Sequence, residues 1–186
     1  MAERSASQRG SDDESAVSIS DVSVTLAWNV RGDVASQAFA AAAQRVFGLA
    51  LPAQSSTSTR TGDAALLWLG PTSWLYVADA DPAAPSYDDA RRSLNAAGGA
   101  LIDVSSSYVG WRVAGTASSR VLNRGCPLDL GDEAFPAGHC AQSTFGHMTV
   151  LVHRPDASAA FIVLASRSYA HDALHLLRTS ALTEGP

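Results

Sequence analysis

The sequence predicts an α+β fold with largely antiparallel sheets. Two observations carry this: the apolar strands are short and fall in adjacent pairs joined by turns, and the helical stretches stand singly among those pairs. At 186 residues the chain matches the roughly 150 residues typical of one domain. Folding would bury about two-thirds of the surface that the unfolded chain exposes.

The elements follow in order. Residues 1–20 hold six serines and six charged residues without an apolar run, so they are expected to be a disordered tail rather than a signal peptide. From Asp21 the pattern changes: Val22, Val24, Leu26, Trp28 and Val30 alternate with polar or small residues, which predicts one half-buried strand. Asp33 is placed to cap a helix carrying Phe39, Ala43, Val46 and Phe47 at helical spacing, with Gly48 and Pro52 stopping it. Residues 53–63 read as a polar loop. Residues 64–79 hold two apolar runs around Gly70 and Pro71, a strand pair.

A DPAAP linker (81–85) precedes a capping box from Ser86 to Asp89, which opens a helix closed by Gly98 and Gly99. ALIDVS and YVGWRVAG are two further strands. A short helix over about 117–124 stops at Gly125, and a loop leads to the pair CAQSTF and MTVLVHR, turning at Gly146. FIVLAS is the last strand, and a final helix over about 168–179 presents Ala170, Ala173, Leu174 and Leu177. The body of the chain, 21–186, is thus a single domain. Its element order suggests two halves, 21–98 and 99–183, without sequence identity between them.

Thirteen arginines, no lysine and 18 acidic residues leave a net charge of -5. Nucleic-acid binding needs a basic footprint that this chain lacks. No apolar stretch is long enough for a membrane-spanning helix. A cytoplasmic location is expected, with Cys126 and Cys140 as reduced thiols.

Candidate chemistry is thin. His171 and His175 stand at i and i+4 on the last helix, a spacing used by zinc peptidases, but Asp172 replaces the usual glutamate and a third ligand is missing. With Arg178 they read more simply as the helix's polar face. Cys126, His139, Cys140, His147 and His153 form a second collection without the paired C-x-x-C spacing of structural zinc sites. Cys126, between Gly125 and Pro127, has only Arg124 nearby to activate a thiolate and reads as inert. No phosphate loop or nucleophile elbow occurs. Asp103, at a strand end in an apolar sequence setting, is expected to accept hydrogen bonds from the serines after it. Trp28, Trp68, Trp74 and Trp111, with Phe135 and Phe145, serve either the core or an interface. From the residues alone, no catalytic, cofactor-binding or metal residue is assigned.

Five segments nevertheless occur together in order: WLGPTSWLYVA (68–78), LIDVSSSYVGWRVAG (101–115), VLNRGCPLDL (121–130), AFPAGHCAQSTFGHMTVLVHR (134–154) and FIVLASRSYAHDALHLL (161–177). Over about 68–177 the chain closely resembles the gamma subunit family of heterotetrameric sarcosine oxidase. GCPLDL and the F-P-x-G-x-C-A-Q run (135–142) are its most specific pieces. The resemblance implies a small relative of the folate-binding aminomethyltransferase fold, acting as a non-catalytic structural subunit. The complex oxidatively demethylates sarcosine to glycine, with hydrogen peroxide and formaldehyde or methylene-tetrahydrofolate as the other products. It also implies partners: an alpha subunit with FAD and NAD, FMN between alpha and beta, and zinc in delta. Aminomethyltransferases carry a folate-engaging carboxylate just before the strand matching MTVLVHR. Here His147, Met148 and Thr149 stand at those positions. The competing expectation is a stand-alone folate-binding or C1-transfer protein using Asp103 or Asp129.

Overall fold

The computed structural model describes residues 16–79 and 86–182. Ten strands occur among them: β1 (Ser18–Val22), β2 (Leu26–Arg31), β3 (Ser58–Thr61), β4 (Ala64–Gly70), β5 (Ser73–Ala78), β6 (Ala100–Asp103), β7 (Tyr108–Ala114), β8 (Cys140–Phe145), β9 (Met148–His153) and β10 (Ala160–Ser166). Four helices accompany them: α1 (Gln37–Phe47), α2 (Tyr87–Ala96), α3 (Ser118–Asn123) and α4 (Ala170–Leu182). The strands form two five-stranded antiparallel sheets, in the orders β3-β4-β5-β2-β6 and β1-β7-β10-β9-β8.

The layers run helix, sheet, sheet, helix. On the outer face of the first sheet, Trp28, Val30, Leu66, Trp74 and Tyr76 pack under Phe39 and Phe47 of α1 and Leu94 of α2. On the outer face of the second, Trp111, Val113, Val150, Val152 and Phe161 pack under Leu122 of α3 and Leu177 of α4. Between the sheets lie the alternate residues of the same strands, among them Ala27, Leu67, Leu75, Cys140, Leu151 and Leu164. Strands covered on both faces read as continuous apolar runs, which explains WLYV and VLV. Trp28, Trp74 and Trp111 are all core, and the Trp74 indole donates to Pro52 O at 2.8 Å.

Several sequence expectations change. The alternation over 22–30 is two strands rather than one. Ser23, Val24 and Thr25 carry the chain from one sheet to the other, held where both hydroxyls donate to Asp79 Oδ1 at 2.9 and 2.8 Å. The tail's expected end at Ser20 runs into β1, whose Ser18–Ser20 pair with Ala114–Arg112. An edge strand needs a backbone partner more than apolar side chains, so composition hid it. Residues 1–15 and the DPAAP linker fall outside the described residues. The polar loop 53–63 contains β3, an edge strand of Ser and Thr. The cap of α1 is Ser36, which accepts from Phe39 N; Asp33 instead accepts from Ala35 N at 2.9 Å in the turn before it. Ser86 caps α2 as the capping box implies, accepting from Asp89 N.

The two sheets are built alike. Setting Trp28 of β2 beside Trp111 of β7 aligns the registers throughout: Trp28 pairs with Tyr76 and Asp103, and Trp111 pairs with Val163 and Asp21. Strand ends match as well, since Gly32 N donates to Thr72 O and Gly115 N donates to Ala159 O. By the same alignment Thr57 corresponds to His139, and these two form an antiparallel bridge with each other. Ser58 N donates to Gly138 O at 2.7 Å, and Cys140 N donates to Ser56 O at 2.9 Å. A bridge between equivalent residues with reciprocal hydrogen bonds places an approximate two-fold axis there. In each half a β-α-β-β-β-α run supplies four strands of the sheet and two helices. The fifth strand completes the pattern from different directions: β6 follows α2 directly, whereas β1, from the N-terminal side, fills the matching place beside β7.

Candidate functional site

The histidines and cysteines singled out above are scattered. His171 and His175 are exposed on α4. Cys126 is buried and its thiol donates to Ser143 Oγ at 3.6 Å. His139 lies edge-on to the Phe135 ring with centroids 5.9 Å apart, and exposed His147 lies edge-on to Tyr169 at 6.2 Å. Among the described residues no group of three His, Cys, Asp or Glu side chains comes together to hold a metal. Asp103, expected in an apolar setting, is exposed; its Oδ1 accepts from Ser105 N at 2.9 Å and Ser105 Oγ at 2.6 Å. Asp129 is also exposed and accepts from Gly131 N at 2.9 Å. Both carboxylates therefore close local turns. Met148 is buried at the start of β9.

The seam between the sheets takes the remaining candidates. The Cys140 thiol donates to Thr57 O at 3.2 Å, and burial pushes its pKa up to about 11, so it stays protonated and unreactive. His153 Nε2 lies 3.0 Å from Ser58 Oγ, which in turn donates to Gly138 O at 2.9 Å. A hydroxyl has one proton to give, so His153 Nε2 carries the hydrogen in this chain of bonds. Burial first, and the Arg60 charge second, lower the His153 pKa to about 4, which keeps the ring neutral. Next along the chain, buried Arg154 donates to Phe135 O at 3.1 Å, pairs with Asp132 at 2.8 Å, and lies over the Phe161 ring. It ties the 124–139 loop to the second sheet.

Where the sheets part beside this seam, a cleft of about 400 Å³ opens. Register sets its two walls. One row crosses the second sheet as His153, Ile162, Arg112 and Ser20. Facing it, Arg60, Ala65 and Val77 cross the first. The Val22–Ser23–Val24 crossing closes a third side, and Asp63, Asp79 and Asp156 stand at the rim. Arg60 pairs with Asp156 at 3.3 Å. The sequence reading missed Arg112 and Arg60. A signal existed for Arg112: Gly110, Arg112 and Ala114 share one strand face, an arginine between two small residues.

The family model described as "Sarcosine oxidase, gamma subunit family" matches residues 31–183. Sarcosine oxidase subunit gamma from Corynebacterium sp. (strain U-96) is 27% identical over 165 residues, covering 88% of this chain and 78% of that protein. The subunit gamma from Corynebacterium sp. (strain P-1) is 29% identical over 162 residues, covering 87% and 78%. Among solved structures, a chain of heterotetrameric sarcosine oxidase from Corynebacterium sp. U-96, in complex with pyrrole 2-carboxylate, matches with a TM-score of 0.82 and 25% identity over 91% of this chain and 86% of that one. Glycine cleavage system aminomethyltransferase T from Bartonella henselae matches with a TM-score of 0.59 and 14% identity, covering 88% of this chain and 45% of that one, a likeness of fold alone. The motif series, the two-sheet architecture and the match over residues 31–183 converge: the chain belongs to the sarcosine oxidase gamma subunit family.

Proposed function

We propose that the chain is the non-catalytic structural subunit of a heterotetrameric sarcosine oxidase, packing against the alpha, beta and delta subunits in the cytoplasm. In this reading FAD, NAD, FMN, zinc and tetrahydrofolate belong to those partners, which oxidatively demethylate sarcosine to glycine. The observation that carries it is the family match over residues 31–183 together with the structural match over 91% of the chain. The chain's own chemistry supports it: Cys140, His153 and Arg154 are bound into the seam and the core, and Asp103 and Asp129 into exposed turns. Its contribution is then assembly and stability of the complex, through an interface on the order of 2,000 Å² or more.

The test is affinity purification of a tagged copy from the native host, with an absorbance spectrum of the eluate. Co-eluting large chains with flavin absorbance, and peroxide release on adding sarcosine, are expected. A colourless 19.3 kDa protein eluting alone would overturn the reading.

A further inference from the structure

The inter-sheet cleft holds a positive charge that the fold does not use. Arg112 sits at the middle of β7 on the face turned toward the other sheet, half-buried between Ser20 and Ile162 in register. Among the described residues it has no hydrogen-bond or ion-pair partner. Other arginines have partners: exposed Arg60 pairs with Asp156, buried Arg154 with Asp132 and Phe135 O, and exposed Arg167 donates to Ser106 O and Tyr108 O. Its equivalent in the first sheet, Asn29, is also satisfied, accepting from Arg31 Nε and donating to Ser73 Oγ. A guanidinium drawn partly out of water without a direct ion-pair partner costs free energy that a bound anion would recover.

We propose that this cleft is a binding site for a small monocarboxylate with an apolar body, its carboxylate held by Arg112. The volume of about 400 Å³ lies in the range of small-molecule sites. The planar fork of an arginine matches a carboxylate with two parallel hydrogen bonds. Val24, Ala65, Val77, Ile162 and Leu164 supply apolar walls on both sides of it. The rim selects against polyanions, because Asp63, Asp79 and Asp156 stand there and Arg60 is already paired. The site stands on this chain's own residues and is independent of the assembly reading.

Isothermal titration of the full-length chain with benzoate, benzylamine and inorganic phosphate tests it, using wild type, Arg112→Met and Arg112→Lys. Wild type should bind benzoate saturably and prefer it to both other probes. Arg112→Met should weaken benzoate at least about tenfold, since the bond removed is charge-assisted. Arg112→Lys keeps the charge without the fork and should fall between the two, which decides the matter if the methionine variant does not fold. Absence of benzoate binding by wild type, equal affinity in wild type and a folded variant, or phosphate or benzylamine binding as tightly as benzoate would each overturn the proposal.

Discussion

The two sheets share a topology and a register but are filled differently. In the first, the helix-side core is aromatic: Trp28, Tyr76 and Phe47 form one group of rings and Phe39 and Trp74 a second, with paired centroids 4.7 to 6.5 Å apart. In the second, Val113, Val150, Val152 and Val163 pack around Trp111 and Phe161. The helices differ in step, with 11 residues in α1 against 6 in α3. The space beyond the shorter helix is filled by Leu130 and Phe135 from the loop that Arg154 holds. One topology thus accepts two cores as long as the volume between sheet and helices is filled. The inner faces diverge more. At the place of fully buried Leu67 the second half carries His153, and at the place of Asn29 it carries Arg112. The places matching Arg60, Ala65 and Val77 are held by Gln142, Leu151 and Leu164, which line a smaller cavity of about 250 Å³, so the two-fold pair of clefts is unequal in size and in charge.

The sharpest way to break the comparison is to remove the borrowed strand. Deleting residues 1–22 strips five residue pairs from β7 and uncovers Ile19's place in the second core. The first sheet keeps its own fifth strand. The expected loss is about 5 kcal/mol, comparable with the whole stability of a small domain, so the cooperative thermal transition should disappear. An unchanged melting temperature would mean that β1 adds nothing to the second half.

Next in size is the His153–Leu67 contrast. The ring of His153 resists protonation down to about pH 4 in the folded chain, whereas in the unfolded chain it takes a proton near pH 6.5. Stability is therefore fully present above about pH 6.5 and is lost as pH falls toward 4, by about 3 kcal/mol. His153→Leu makes the position like its twin and should flatten that part of the curve in urea unfolding followed across pH. A variant that retains the wild-type slope would assign the acid sensitivity to other groups.

The smallest effect concerns the paired aspartates, Asp103 opposite Trp28 and Asp21 opposite Trp111. Asp103 accepts two hydrogen bonds from Ser105, while Asp21 makes no side-chain hydrogen bond among the described residues. Asp103→Ala should cost about 1 kcal/mol. Asp21→Ala should stay within about 0.5 kcal/mol by the same urea measurement. Equal effects would erase the distinction between the two strand ends.

The fold class was readable in the sequence because period and punctuation are local. Ser86 with Asp89, Gly48 in the left-handed conformation after α1, and Gly146 between β8 and β9 mark boundaries by their own backbone chemistry. What was hidden were the edge strands β1 and β3, whose serine and threonine residues give no apolar signal: β1 gains its structure from β7 far along the chain, and β3 from the adjacent β4. The split of 22–30 was hidden because an unbroken alternation does not record which sheet each part joins. The family resemblance was legible in residues 68–177, whereas the cleft was not.

By itself, then, the sequence determined the four helices, the strands other than β1 and β3, the absence of a basic footprint, most turn positions, and the family. Those properties reside in single residues or short runs. Only the tertiary structure decided that Trp28 and Trp74 are core, that β1 completes the second sheet, and that the halves meet at Thr57 and His139. It alone set an unpaired Arg112 in a row with His153 and opposite Arg60. Strand pairing sets Arg112 beside Ile162, 50 positions away, and Ser20, 92 positions away, and no local pattern encodes which partner a strand will find.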